Sequence, residues 1–119
     1  MVFRPEVAAQ QYCYLTTRGR RTGEPHTIEI WFGLEGGTLY MLAGSGERAD
    51  WVRNLRADPD VQVRLDGRTY MGTARVVTDP VEDQNARRML LEKYQRGSDD
   101  LSSWGQTALP VAVDLAVEA

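Results

Sequence analysis

At 119 residues, with 42% hydrophobic and 26% charged side chains, the chain is sized for one globular domain (residues 1–119) with a single modest core. Fourteen basic against 17 acidic residues leave a net charge of -3, which argues against a general nucleic-acid binder, and no apolar run reaches the roughly 20 residues of a membrane-spanning helix. One cysteine and one histidine all but exclude a protein-built metal site and any internal disulfide; the N-terminus lacks an apolar leader, so the expected location is cytoplasmic.

Residues 12–17, YCYLTT, are rich in aromatic and β-branched types and predict a first strand, with Cys13 as a small buried hydrophobe. Gly19 and Gly23 bracket a loop carrying Arg18, Arg20 and Arg21. From His26 to Leu34 the run HTIEIWFGL alternates and predicts one half-buried strand, followed by a hairpin turn at EGG (35–37) and a return strand at TLYMLAG (38–44). In SGERADWVRNLRADP, Trp51 and Leu55 with Val52 give a short helix one apolar stripe, and Pro59 stops it. Asn54 falls on or near that stripe, where an amide either caps something or faces a ligand. Two alternating runs, Val61-Val63-Leu65 and Tyr70-Gly72-Ala74-Val76, are joined by Asp66-Gly67, a strong hairpin signal.

Asp79 as N-cap, Pro80 as first helical residue, Glu82 and Asp83 in the first turn, and Lys93, Arg96 and Gly97 at the end predict a longer helix. Its buried stripe is Ala86, Met89, Leu90 and Tyr94. A polar segment, SDDLSSWGQT, leads to a closing strand at LPVAVDLAV, in which Pro110 lies early enough to be tolerated. The fold class is α+β: about six mostly antiparallel strands with a short and a longer helix, curled into a small barrel so that few edges stay open.

The chain has no Gly-x-Gly-x-x-Gly, no Walker loop and, with His26 its only histidine, no nucleophile-histidine-carboxylate set. An enzyme of this composition needs a bound cofactor to carry its reaction. The 18–23 loop offers planar arginine forks among glycines, a pattern suited to phosphate or carboxylate. It is equally what solvated decoration looks like in a chain whose only lysine is Lys93. AGSGERADW sets small residues and Ser45 directly before the helix bearing Trp51 and Asn54; it reads as an anion-binding turn or as an ordinary tight turn with a core tryptophan.

Taken together and in order, LTTRGRRTGEPH and LYMLAGSGERADWVRNLRADPDVQVRL resemble the deazaflavin-dependent nitroreductase family, whose members bind coenzyme F420 on a split β-barrel related to flavin-reductase and pyridoxamine-phosphate-oxidase folds. The likeness covers roughly residues 12–78, with a looser echo through LLEKYQ and LPVAV. It implies that Arg20, Arg21, Thr22 and Gly23 hold the cofactor's phosphate or acidic tail, with Pro25 and Thr27 lining its path. It implies further that Ala43, Gly44, Ser45 and Gly46 run past the deazaflavin by their backbone, that Trp51, Asn54 and Leu55 complete the pocket, and that Arg48 replaces a lysine many members carry near the phosphate.

The implied reaction is hydride transfer from reduced F420 to a conjugated acceptor of quinone, nitroaromatic or enone type. Tyr94 and Trp104 match aromatic positions near the family's substrate pocket; with Tyr12, Tyr14 and Trp31 they are candidates for stacking the acceptor, or else core aromatics. No catalytic side chain stands out beyond Tyr94 as a candidate proton donor. Glu29 and Trp31 depart from the family pattern and alter the expected pocket floor. The same barrel using FMN, and a non-catalytic carrier of F420 or a lipid-like ligand, are the alternatives, and a homodimer is one of two arrangements the family shows.

Overall fold

The computed structural model describes residues 3–95 and 100–118. Seven strands form one sheet: β1 (Cys13–Arg18), β2 (Pro25–Ile30), β3 (Gly33–Glu35), β4 (Thr38–Ala43), β5 (Asp60–Leu65), β6 (Arg68–Val76) and β7 (Leu109–Glu118). Their order is β2-β1-β5-β6-β7-β4-β3, with antiparallel neighbours throughout. Strands β2 and β3 lie at opposite edges, yet only Trp31 and Phe32 separate them in the chain. At about 3.3 Å per residue such a link spans about 10 Å, so the sheet has to curl until its edges meet there. The split barrel follows from that short connection.

The concave side holds the core. Leu15, Phe32, Leu39, Met41, Val63, Leu65, Val111 and Val113 are buried inside it, each placed by the two-residue period of its strand or, for Phe32, by the link itself. Among the described residues four α-helices accompany the sheet: α1 (Pro5–Ala8), α2 (Asp50–Ala57), α3 (Pro80–Tyr94) and α4 (Ser102–Thr107). Ala86, Leu90 and Tyr94 of α3 pack against Tyr40, Leu42 and Ala112 in a second, outer cluster. Asp79 caps α3 by accepting a hydrogen bond from the Glu82 N–H at 2.9 Å. The β5–β6 turn has φ 52° at Asp66 and 77° at Gly67, the two left-handed residues of a type I′ hairpin.

Two expectations change. The run 26–34 is not one strand: its ladder breaks at Trp31 and Phe32, because side chains from α3 take over the Phe32 backbone. The Phe32 N–H donates to the Tyr94 hydroxyl at 3.0 Å, and the Phe32 carbonyl lies 3.0 Å from both Tyr94 Oη and the donating Lys93 Nζ. Gly33 then passes beneath Met89, where an added Cβ would come within 2.5 Å of the sulfur. The sheet therefore has seven strands rather than six. The polar segment before β7 contains α4, whose Gly105 lets Leu91 of α3 approach so closely that a Cβ would lie 2.6 Å from it. Arg96 and Gly97, expected at the end of the long helix, fall outside the described residues; the helix ends at Tyr94.

Candidate cofactor groove

The loop joining β1 to β2 is shaped by its glycines. Gly19 N–H donates to the Glu24 carbonyl at 2.7 Å, Gly23 N–H to the Gly19 carbonyl at 2.8 Å, and Gly23 takes φ +78°. Thr22 Oγ1 accepts from the Glu24 N–H at 3.2 Å. His26 lies directly over Gly19: a Cβ there would stand 2.7 Å from His26 Nε2. The only histidine is thus a packing element of the loop.

Asn54 pins this loop to α2. Only 4% exposed, it accepts from the Arg20 N–H at 3.2 Å and from Arg20 Nη1 at 2.9 Å, while its Nδ2 donates to Thr17 Oγ1 at 3.3 Å. Both ends of the amide are used, as a buried amide requires. Arg20 Nη2 also meets Asp50 Oδ1 at 3.3 Å. Arg21 has no ion pair among the described residues, nor does Arg48.

Between loop and helix runs a groove of about 490 Å³. Six of the residues expected to bind cofactor line it: Arg20, Arg21, Thr22, Thr27, Trp51 and Asn54. Gly19, His26, Ile28 and Asp50 join them without having been singled out from sequence as ligand contacts. Asp50 was the legible one, since it precedes Asn54 by four and so shares its helix face. The other expected residues lie elsewhere. Gly23 and Pro25 line a smaller depression of about 290 Å³ with Arg18, Gln62 and Met71. Ala43 and Leu55 are buried in the core. Gly44 and Ser45 are exposed after β4, and Gly46 and Arg48 bound a single 3₁₀ turn.

The aromatic candidates divide in the same way. Trp31 stacks on Tyr94 with ring centres 4.3 Å apart and 3° between planes, and Trp104 stands edge-on to Trp31 at 5.6 Å. Trp104 is also next to Gly44, 3.8 Å from where a Cβ would project. Tyr12 and Tyr14 line a separate depression with Arg64; the Tyr14 hydroxyl donates to Glu29 at 2.7 Å and Arg64 covers its ring. Tyr94 directs its hydroxyl at backbone, the Gln11 carbonyl at 2.9 Å and Phe32, and burial pushes its pKa up to about 12. Burial likewise raises the Cys13 thiol to about 12 and lowers Lys93 to about 8.

A sheet closed by a two-residue link, with an arginine loop set against a short helix, makes a split barrel with a groove suited to an anionic ligand. The chain belongs to the F420H(2)-dependent quinone reductase family, whose profile matches residues 6–116. It is similar to an F420H(2)-dependent quinone reductase of Mycobacterium tuberculosis, 24% identical over 102 residues that span 83% of this chain and 68% of the relative. Its fold is similar to a solved F420-H2-dependent reductase (TM-score 0.72, 21% identity, 87% of this chain and 94% of that one). A third likeness is a structure described as a domain-swapped dimer (TM-score 0.72, 21% identity, 87% of this chain and 80% of that one).

The protein is therefore an oxidoreductase with F420H2 as electron donor. The donor set of the groove fits such a group: Arg21 has no ion pair among the described residues, Asn54 holds Arg20 in place, and Trp51 and Ile28 line the same groove, a combination suited to an anion joined to a planar ring. Among the described residues no three acidic, histidine or cysteine side chains cluster as metal ligands, and no helix is long and apolar enough to cross a membrane.

Proposed function

We propose that the groove between Arg20–Thr22 and α2 seats the phosphate and acidic tail of F420, and that a conjugated acceptor, a quinone first and nitroaromatics or enones beside it, docks near Trp31, Tyr94 and Trp104. The observation that carries this reading is the convergence of two distant stretches, residues 19–28 and 50–54, on one groove through the buried Asn54. When bound in its reduced form, F420 supplies a hydride to the acceptor. The chain's own contribution is orientation and charge. Asn54 Oδ1 holds Arg20 by its backbone N–H and by Nη1, so part of the guanidinium's freedom is already lost before binding, and Arg21 brings a charge with no ion pair among the described residues. The backbone beyond Ala43 runs beside Trp104 at Gly44, where an added Cβ would stand 3.8 Å from the indole, in ordinary contact.

Titration of F420 fluorescence polarisation tests the reading. Saturable binding by the wild type, weakened by roughly 1.5–3 kcal/mol per charge-assisted bond removed in Arg20→Ala/Arg21→Ala, is the expected result. Saturable binding of FMN with none of F420 would contradict it, and binding without turnover of any quinone would leave a carrier. The proposal extends to a homodimer, supported by the structural relative described as a domain-swapped dimer; light scattering in solution decides it.

A further inference from the structure

Asp50 is an acidic residue in a groove otherwise arranged for anions. Its carboxylate lies 3.3 Å from Arg20 Nη2, on the side of the guanidinium that Asn54 does not hold. The two partners differ sharply in burial: the Arg20 side chain is 23% exposed and that of Asp50 is 84% exposed. The arginine is seated and the carboxylate stands in solvent, tethered by one long contact of the kind that exchanges easily. Asp50 is also the first residue of α2, an eight-residue helix whose N-cap, Ala49, makes no side-chain capping bond. Negative charge is favoured at that end of a helix, and Asp50 is the charge that supplies it.

From this juxtaposition we infer that Asp50 is an internal stand-in for the cofactor's anion: it occupies Arg20 until a more highly charged group displaces it, and so sets a charge threshold for entry to the groove. The inference rests on the proposed cofactor groove. A singly charged carboxylate gains little by replacing Asp50 at Arg20, because one weak pair is exchanged for another. A phosphate or a multiply charged tail engages Arg20 together with Arg21, which has no ion pair among the described residues, and displaces the carboxylate into the solvent it already faces. Asp50 therefore lowers affinity for every anion and excludes the weaker ones. A carboxylate serving only to latch the loop to α2 would have the opposite effect, since its removal would loosen the groove.

The test compares the full-length wild type with Asp50→Asn and Asp50→Glu, using three probes: F420, inorganic pyrophosphate, and the deazaflavin chromophore lacking phosphate and tail. The neutral amide is expected to bind F420 and pyrophosphate about three- to tenfold more tightly, with a steeper loss of affinity in salt, while the uncharged chromophore is unaffected. Asp50→Glu retains the wild-type affinities. Unchanged or weaker anion binding by Asp50→Asn would overturn the inference in favour of a latch, and an equal gain for the chromophore would overturn it as a charge effect. If both proteins bind pyrophosphate and neither binds F420, the cofactor assignment fails while the pyrophosphate ratio still decides the role of Asp50. If neither probe binds, both fail.

Discussion

Asn54 shows what one residue contributes to this site and how much of that a sequence can display. Its place on the buried stripe of α2 is legible from the spacing of Trp51, Val52 and Leu55, and a polar amide on such a stripe has to meet a partner. The partner is Arg20, 34 positions earlier, and no local pattern connects the two. The resemblance placed both in one pocket but not in contact. Replacing Asn54 with the similarly sized leucine leaves the Arg20 N–H, its guanidinium and Thr17 Oγ1 short of a partner. Urea denaturation should show a loss of about 1–3 kcal/mol, and F420 affinity should fall although both arginines remain. An unchanged affinity would mean the strut does not organise the loop. His26 makes the complementary point: as the only histidine it invites a catalytic reading, and the close approach to Gly19 gives it a packing one.

Among the elements, those with local punctuation were readable and those made by distant contacts were not. The Asp66-Gly67 hairpin and the capped start of α3 follow from turn and capping chemistry contained in a few residues. The break at Trp31-Phe32 is imposed by Tyr94 and Lys93, more than 60 positions away, on a stretch whose own alternation favours one continuous strand. Helix α4 has little amphipathic signal in six residues and forms by packing Gly105 under Leu91. The docking of α3 on the sheet depends on Arg75 of β6, which holds Glu82 of α3 at 2.7 and 2.8 Å and Asp114 of β7 at 2.8 Å.

Hydrogen bonds from Arg75 first, and from Tyr40 next, hold the Glu82 carboxyl below the usual carboxylate range. Arg75 does the same for Asp114, with Thr38 assisting against the opposing effect of burial. In both cases the folded state binds protons less readily than the unfolded chain, whose carboxylates titrate near about pH 4. This contribution is complete above that pH and is lost as pH falls through the lower, folded-state values. Both carboxylates are partly in water, so its size is on the order of 1 kcal/mol. Thermal melts from neutral to strongly acidic pH should show Arg75→Ala less stable at neutrality and less sensitive to acid. Parallel pH curves for variant and wild type would rule the network out as a source of acid lability.

At the scale of the whole molecule, a two-residue link between opposite sheet edges forces closure, closure brings the β1–β2 loop against α2, and the groove is the consequence. The barrel was legible because its strands alternate and are separated by strong turns, and the groove's lining was legible in part, since six of its ten residues are ones the resemblance implied for the cofactor. The aromatic candidates were less so, since stacking surfaces share composition without sharing spacing: of the five, Trp31, Tyr94 and Trp104 cluster, and Tyr12 and Tyr14 line a separate depression. The role proposed for the groove is to present F420 to a conjugated acceptor. Its most direct measurement is the anaerobic oxidation of reduced F420 by a quinone, followed by the return of the deazaflavin's visible absorbance. The expected result is protein-dependent oxidation that saturates in F420 and whose KM for F420 rises in Arg20→Ala/Arg21→Ala. Oxidation no faster with protein than without it, or a KM for F420 indifferent to both arginines, would contradict it.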